Sequence, residues 1–383
     1  MPYQIGQRMR FWLLNILFFL STIAYSQSNF EFKGQLSAIG NYSPQNTMSL
    51  LLGTRYIPQI NYKISLDSVR KIDFEASAFL SGSTFSHPFD STHFASSVQP
   101  YRLWARYSSK QFELRIGLQK IDFGSATLLR PIQWFNQIDP RDPLKLTNGV
   151  YGVLGRYYFI NNANAWLWVL YGNQKARGFD VVETNKHTPE IGGRLQYPTP
   201  KGEIALSFHH RTANSENLSY LPSFNKIPEN RIGLDAKWNL KIGLWFEAVY
   251  VHKSKNIDLM TNQTLLNMGA DYTFGVGNGI NIMAEHLLAS FDKKPFAFGK
   301  TINVSAITLS YPLGIFDRLS TIFYYTWATS DLTLFLNYEH QFKNFSTYFM
   351  PYYNPPSQLG ILQNNLINQF SGYGIRCMLV YNH

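Results

Sequence analysis

From Phe30 onward, apolar and polar residues alternate with a period of two. Phe30, Phe32, Leu36 and Ala38 interleave with Glu31, Lys33, Gln35 and Ser37. Ile72, Phe74, Ala76 and Ala78 interleave with Asp73, Glu75 and Ser77; Ile232, Leu234, Ala236 and Trp238 interleave with Arg231, Gly233, Asp235 and Lys237. A strand turns successive side chains to opposite faces, so each stretch predicts a strand with one apolar and one polar face. Eighteen segments read this way: 30–40, 50–64, 72–80, 101–107, 112–119, 151–159, 165–171, 190–197, 202–209, 231–238, 242–252, 264–274, 280–290, 302–310, 318–327, 332–340, 344–353 and 369–381.

The charges within these segments number 12 positive and 11 negative, and every one falls opposite the apolar phase. Lys120 and Asp317, just outside the segment ends, break that rule. A soluble sandwich would put the apolar face in its core, whereas a membrane barrel turns it to lipid and lines a wet lumen with the charges. Connector lengths separate the two. Connections after even-numbered segments run 3 to 7 residues, and those after odd-numbered ones run 9 to 31, with 328–331 the exception. Tight turns at one end and long loops at the other are the layout of outer-membrane barrels, with the turns toward the periplasm. Tyr62, Tyr101, Tyr107, Trp238, Tyr250, Trp327 and Tyr381, near segment ends, suit the two interfacial aromatic girdles.

Composition agrees. Aromatics make up 16 % of the 383 residues and charged residues only 15 %, the reverse of a disordered chain. The single cysteine, Cys377, excludes an intramolecular disulfide framework or a cysteine-based metal site. Arg8 and Arg10, the apolar run Phe11–Leu20 and Ala24-Tyr25-Ser26 have the layout of a secretory leader over 1–26. That leaves 27–383 as one barrel domain. Removing the leader lowers the net charge from +10 to +8; the barrel segments carry +1, so +7 lies in loops and turns. A basic outer rim of that kind enriches anions or contacts phosphate groups of the outer leaflet.

The expected fold is therefore all-β, a transmembrane antiparallel barrel of about eighteen strands, with sixteen as the alternative. Eight strands close around packed side chains, but sixteen to eighteen leave an aqueous channel. Candidate lumen-lining charges are Arg102, Arg106, Arg115, Arg156, Arg194, Asp73, Glu75 and Glu113. The longest connection, 120–150, carries Leu128, Leu129, Ile132, Trp134, Phe135 and Ile138, which need a wall to pack on. It reads as a segment folded into the barrel, with Ser125 capping one or two helical turns and Arg130, Asp139, Arg141, Asp142 and Lys145 as candidate constriction charges. The alternative is a loop that plugs the lumen through Arg–Asp pairs.

A wide barrel whose fifth strand leads into such a segment resembles the bacterial porins. Gly117-Leu-Gln-Lys-Ile-Asp-Phe-Gly124, the Arg- and Asp-containing stretch and Asn148-Gly149-Val150 are similar to segments of porin-like and polysaccharide-export barrels. Gly374, Cys377, Leu379 and Tyr381 resemble the last-strand signal recognised by the barrel-assembly machinery, although His383 stands where an aromatic is commonest. The resemblance implies the cell outer membrane, lipid around the wall, passage of small hydrophilic solutes, and no cofactor. An apolar wall also permits a homo-oligomer. Enzyme chemistry is not expected, because no histidine has a motif spacing to a serine or carboxylate and no metal-ligand pattern is present. Dispersed basic residues in an exported chain argue against nucleic acid. The rival to a channel is a plugged barrel whose loops at 81–100, 172–189 and 210–230 bind a surface partner or serve envelope assembly.

Overall fold

The computed structural model describes residues 29–46, 48–86, 92–136, 138–355 and 372–383. The leader read over 1–26 lies outside the described residues. The strands are β1 (Phe30–Tyr42), β2 (Leu50–Ser65), β3 (Lys71–Ser86), β4 (Thr92–Ser108), β5 (Phe112–Gln119), β6 (Val150–Tyr158), β7 (Asn164–Leu170), β8 (Glu183–Thr184), β9 (Glu190–Thr199) and β10 (Gly202–Asn214). They continue with β11 (Ile227–Asn239), β12 (Gly243–Lys253), β13 (Asn262–Phe274), β14 (Ile280–Asp292), β15 (Thr301–Pro312), β16 (Asp317–Thr326), β17 (Asp331–Gln341), β18 (Phe345–Asn354) and β19 (Gly372–Asn382). The two-residue β8 pairs only with the end of β10. The other eighteen form one antiparallel ring in chain order, closed by β1 on β19 from Gln35↔Asn382 to Tyr42↔Ile375. Closure gives the backbone N–H and C=O rows partners all round and leaves the ring without an open edge.

The apolar phase faces outward. On β9, Ile191, Leu195 and Tyr197 are 52, 63 and 59 % exposed, while Arg194 on the alternate phase is 3 % exposed. On β10, Leu206 and Phe208 are exposed and Ser207 and His209 are buried. Cys377, on the apolar phase of β19, is exposed. Exposed Tyr62, Tyr157, Tyr158, Phe159, Tyr197, Tyr272 and Tyr381 ring the short-turn end. The outward-facing apolar residues of these strands thus stay out of the interior; the buried core draws on inward positions of other strands and on the 120–149 connection.

The wall is uneven in height. Strands β2, β3 and β4 have 16, 16 and 17 residues, against 8, 9 and 7 for β5, β6 and β7. At about 3.4 Å per residue the tall side overreaches the low side by roughly 30 Å of strand. The stretch expected as a loop at 81–100 is largely this tall ribbon, paired from Ser81↔Ser97 to Ser86↔Thr92. Its Ser, Thr and Gly residues give neither face an apolar phase, so backbone pairing alone marks it as strand. A bulge at Ser77/Ala78 on the β3–β4 pair resets the phase, and Tyr101 and Arg102 both reach the inside. Tyr101 is therefore a contact to the 120–149 segment and not part of a girdle.

Candidate constriction segment

Residues 120–149 leave β5 where the wall is low and return at β6. No helix forms after Ser125. The N–H groups that a helix would have turned along its axis are taken by two carboxylates projecting from the inner phase of β12 and β14. Glu247 Oε1 accepts from Ser125 N at 2.6 Å and Ala126 N at 2.8 Å, and Glu247 Oε2 from Ile132 N at 3.2 Å. Glu285 accepts from Thr127 N at 2.6 Å, Leu128 N at 3.2 Å and Leu129 N at 2.8 Å. Successive amides aimed at one carboxyl group make a concave donor surface, which satisfies the oxygens of two buried glutamates. Gly124 opens this turn at φ +104°, and a Cβ there would stand 2.7 Å from Glu247 Oε1.

The apolar residues of the segment form the buried core. Ile121, Leu129, Ile132, Trp134 and Phe135 are at most 3 % exposed. They pack with Leu154, Trp168 and Leu170 of the low wall, and with Val249, Val251, Leu265, Leu287, Ala289 and Val304 of β12–β15. Those six wall residues share the inner phase with Glu247 and Glu285. Beyond the glutamates, toward the long loops, the inner face of β12–β15 is apolar and receives the segment. Sorting only the charges by phase overlooks this; the signal available in the sequence was apolar residues on both phases in one half of these strands.

Further along, most of the candidate charges are paired. Arg130 pairs with Asp122 at 3.0 Å, and burial lowers its pKa despite the carboxylates of Asp122, Glu247 and Glu285. Arg141 forks onto Asp139 at 2.7 and 2.9 Å and lies over the Phe335 ring on β17; burial opposes its charge, but Asp139 outweighs it and raises the pKa. Asp142 accepts from Arg55 of β2 at 2.7 Å; burial would raise its carboxyl pKa, but the guanidinium of Arg55 holds it below the usual carboxylate range. Lys145 is exposed, at φ 45°. Thr147 accepts from Arg102 of β4 through its carbonyl at 3.0 Å and through its hydroxyl. The segment therefore touches the inner phase of β12 and β14, then β17, β2 and β4, most of the way round the ring.

The remaining wall candidates divide in two. Arg106 meets Asp73 at 2.9 Å, Arg115 meets Glu113 at 2.9 Å, and Arg156 lies 3.8 Å over the Trp166 ring. Their side chains keep 14–25 % exposure, and Arg106 and Arg115 flank the Trp104 ring at 5.4 and 4.8 Å. Glu75 sits beside Ser77 in the same row. Arg194, by contrast, is sealed: it forks onto Asp235 at 2.5 and 2.8 Å with Phe123 of the segment over it.

A buried charge network that the sequence reading did not assemble lies toward the long loops of β9–β12. Arg211 forms ion pairs with Glu229 at 2.7 Å and Asp180 at 2.9 Å, Arg231 with Asp180 at 2.6 Å and Glu229 at 2.5 Å, and Lys253 stands 3.5 Å from Glu229. Arg177 bonds Glu190 at 2.5 Å, which ties the 171–189 loop to the wall. His209 belongs here too. Trp168 Nε1–H donates to its Nδ1 at 3.2 Å and Glu190 lies 3.2 Å from its Nε2, a set that the tautomer protonated at Nε2 satisfies. Covered by Trp134 and Phe135 and 1 % exposed, this pair is a structural tie without a path for substrate.

No protein-family profile matches the chain, and no curated protein matches it in sequence. Solved structures do match in shape. OccAB1 of Acinetobacter baumannii superposes with a TM-score of 0.56 at 10 % identity, over 94 % of this chain and 99 % of that one. OccK5 (OpdH) of Pseudomonas aeruginosa gives 0.53 at 12 % identity, over 92 and 97 %. An anion-selective porin from Comamonas acidovorans gives 0.50 at 12 % identity, over 93 and 100 %. With eighteen antiparallel strands closed into one ring, the chain has the fold of the bacterial outer-membrane porins.

Proposed function

We propose that this protein is an outer-membrane channel for the passive passage of small hydrophilic solutes, narrowed by the 120–149 segment. The observation that carries the reading is the half-open row Asp73, Arg106, Glu113, Arg115 and Arg156 on the inner face of β3–β6, beside the segment in a ring of porin size. A solute crossing there meets guanidinium and carboxylate groups in close alternation, which orients a polar molecule without demanding one sign of charge. Arg130, Asp139, Arg141, Asp142 and Lys145 set the other side of the narrowing. The leader, the barrel-assembly machinery and a lipid surround belong to the same reading. Single-channel conductance of the refolded protein in a planar bilayer tests it, alongside a variant lacking Pro131 to Asp142. Conductance that scales with salt and rises in the variant is expected; silence from both, with folding verified, overturns the channel.

The buried core between the segment and β12–β15, with its internally paired charges, favours a second reading: a plugged barrel that presents its long loops to a surface partner. A silent native protein whose deletion variant conducts is the result that selects it.

A further inference from the structure

The loop between β14 and β15 reads Lys293-Lys294-Pro295-Phe296-Ala297-Phe298-Gly299-Lys300. Unlike the segment above, it folds outward. Ser290 lies on the lipid-facing phase of β14 yet is 1 % exposed, and its hydroxyl donates to Ala297 O at 2.8 Å. Asn262, on the same outward phase of β13, donates to Lys293 O at 2.9 Å. Phe296, at φ 51°, stacks on the outward-facing Tyr250 of β12 with centroids 4.3 Å apart and planes 19° apart. The loop is thus draped over the outside of β12–β14 at the long-loop end, while Phe296 and Phe298 stay 65 and 49 % exposed. Around it stand the exposed Lys293, Lys294, Lys300 and, from the 254–261 turn, Lys255. Two acids stand among them: Asp258 pairs with Lys293 at 2.7 Å, and Asp292 accepts from Lys294 N at 2.9 Å.

We infer that this loop docks on the phosphate groups of outer-leaflet glycolipid headgroups. Aromatic rings facing the bilayer beneath a cluster of ammonium groups are the arrangement that holds a surface at an anionic interface: the rings enter the acyl boundary and the long lysine stems carry their charge up to the phosphates. Among the described residues Lys255, whose ammonium lies 4.7 Å over the Phe224 ring, Lys294 and Lys300 form no ion pair, and these three meet the ligand. The inference rests on the outer-membrane placement proposed above.

The test is native mass spectrometry of the folded, detergent-purified barrel titrated with diphosphorylated lipid A and, separately, with the same lipid stripped of phosphate. At least about tenfold preference for the phosphorylated form is expected, on the scale of several lysines each contributing at a charged surface. The triple variant Lys255→Gln, Lys294→Gln, Lys300→Gln loses that preference, whereas Lys110→Gln with Lys343→Gln, at the opposite rim, keeps it. Equal binding of the two lipids, or an undiminished preference in the triple variant, overturns the inference. A barrel that conducts and shows no phosphate preference rejects this site while leaving the channel standing.

Discussion

Two rows of guanidinium–carboxylate pairs line the inner face of this barrel, and they differ in water. On β3–β6 the pairs around Glu113 keep 11–25 % of their side-chain surface exposed. On β9–β12 the pairs around Glu229, Asp180 and Asp235 keep 0–7 %. The residue types are the same, and both rows sit on the charged phase of their strands. What separates them is cover: the loops at 120–149 and 171–189 seal the β9–β12 row, while the β3–β6 row keeps part of its surface in water. A buried charge is costly without its partner, so the covered row acts as a staple; the half-wet row is cheap to alter and, under the proposed function, is the one that meets solute.

The sharpest break of this comparison is Glu229→Gln. It strips the fully buried carboxylate from Arg211, Arg231 and Lys253, and a loss of about 3–5 kcal/mol is expected, read as a large fall in thermal unfolding temperature. Next come Glu247→Gln and Glu285→Gln together. Each amide replaces an acceptor oxygen with a donor that faces the segment's own N–H groups, at about 1–3 kcal/mol per site. Faster amide hydrogen exchange at residues 125–132 and higher conductance should follow; native exchange in the double variant would show that the carboxylates do not hold the segment.

Arg106→Gln inverts the expectation. Stability should change by no more than about 1 kcal/mol, since the pair is partly exposed, while the zero-current potential in a salt gradient moves toward cations. An unmoved potential would place the permeation path elsewhere. Acid gives a smaller effect at the edge of the two regions. Because the Asp142 carboxyl is depressed in the folded protein, its tie to Arg55 is fully present above the ordinary carboxylate pKa of about 4 and is lost as pH falls below that through the depressed value. Conductance noise should grow below about pH 4, and Asp142→Asn should show the same noise at neutral pH. The smallest effect belongs to the tall ribbon: Phe94→Ser, on an outward position 73 % exposed, should shift stability by less than about 0.5 kcal/mol.

The ring itself was legible in the sequence, because a strand with lipid on one face and water on the other must segregate its charges, and the period-two count needs nothing more. The segment was legible as something buried, from Leu128, Leu129, Ile132, Trp134 and Phe135 in a long connection. How it is held was not. The acceptors for Ser125 and Thr127 stand 122 and 158 residues away, and no local pattern carries such a pairing. The Arg211–Glu229 and Arg177–Glu190 ties span only 18 and 13 residues but cross long loops, whose register the alternation does not give. His209 was a nearer miss: it shares its phase with Glu203 and so points inward, a deduction the alternation already allowed. The tall ribbon escaped because Ser81–Thr84 and Ala95–Ser97 are small or polar on both faces.

The seam between β1 and β19 has a consequence for how the molecule comes together. Gln35 must find Asn382, and Tyr42 must find Ile375, across nearly the whole chain, whereas every other ring pairing joins strands adjacent along the chain or separated only by β8. Hairpins can zip one after another with short loops, but the last pairing closes a loop of more than 300 residues, and its entropic cost falls in one step. Until then both edges stand open, and the carboxylates that grip the segment have no finished wall behind them. Ring closure should therefore be the event that traps the 120–149 segment in place, so the barrel's assembly and its narrowing are completed together.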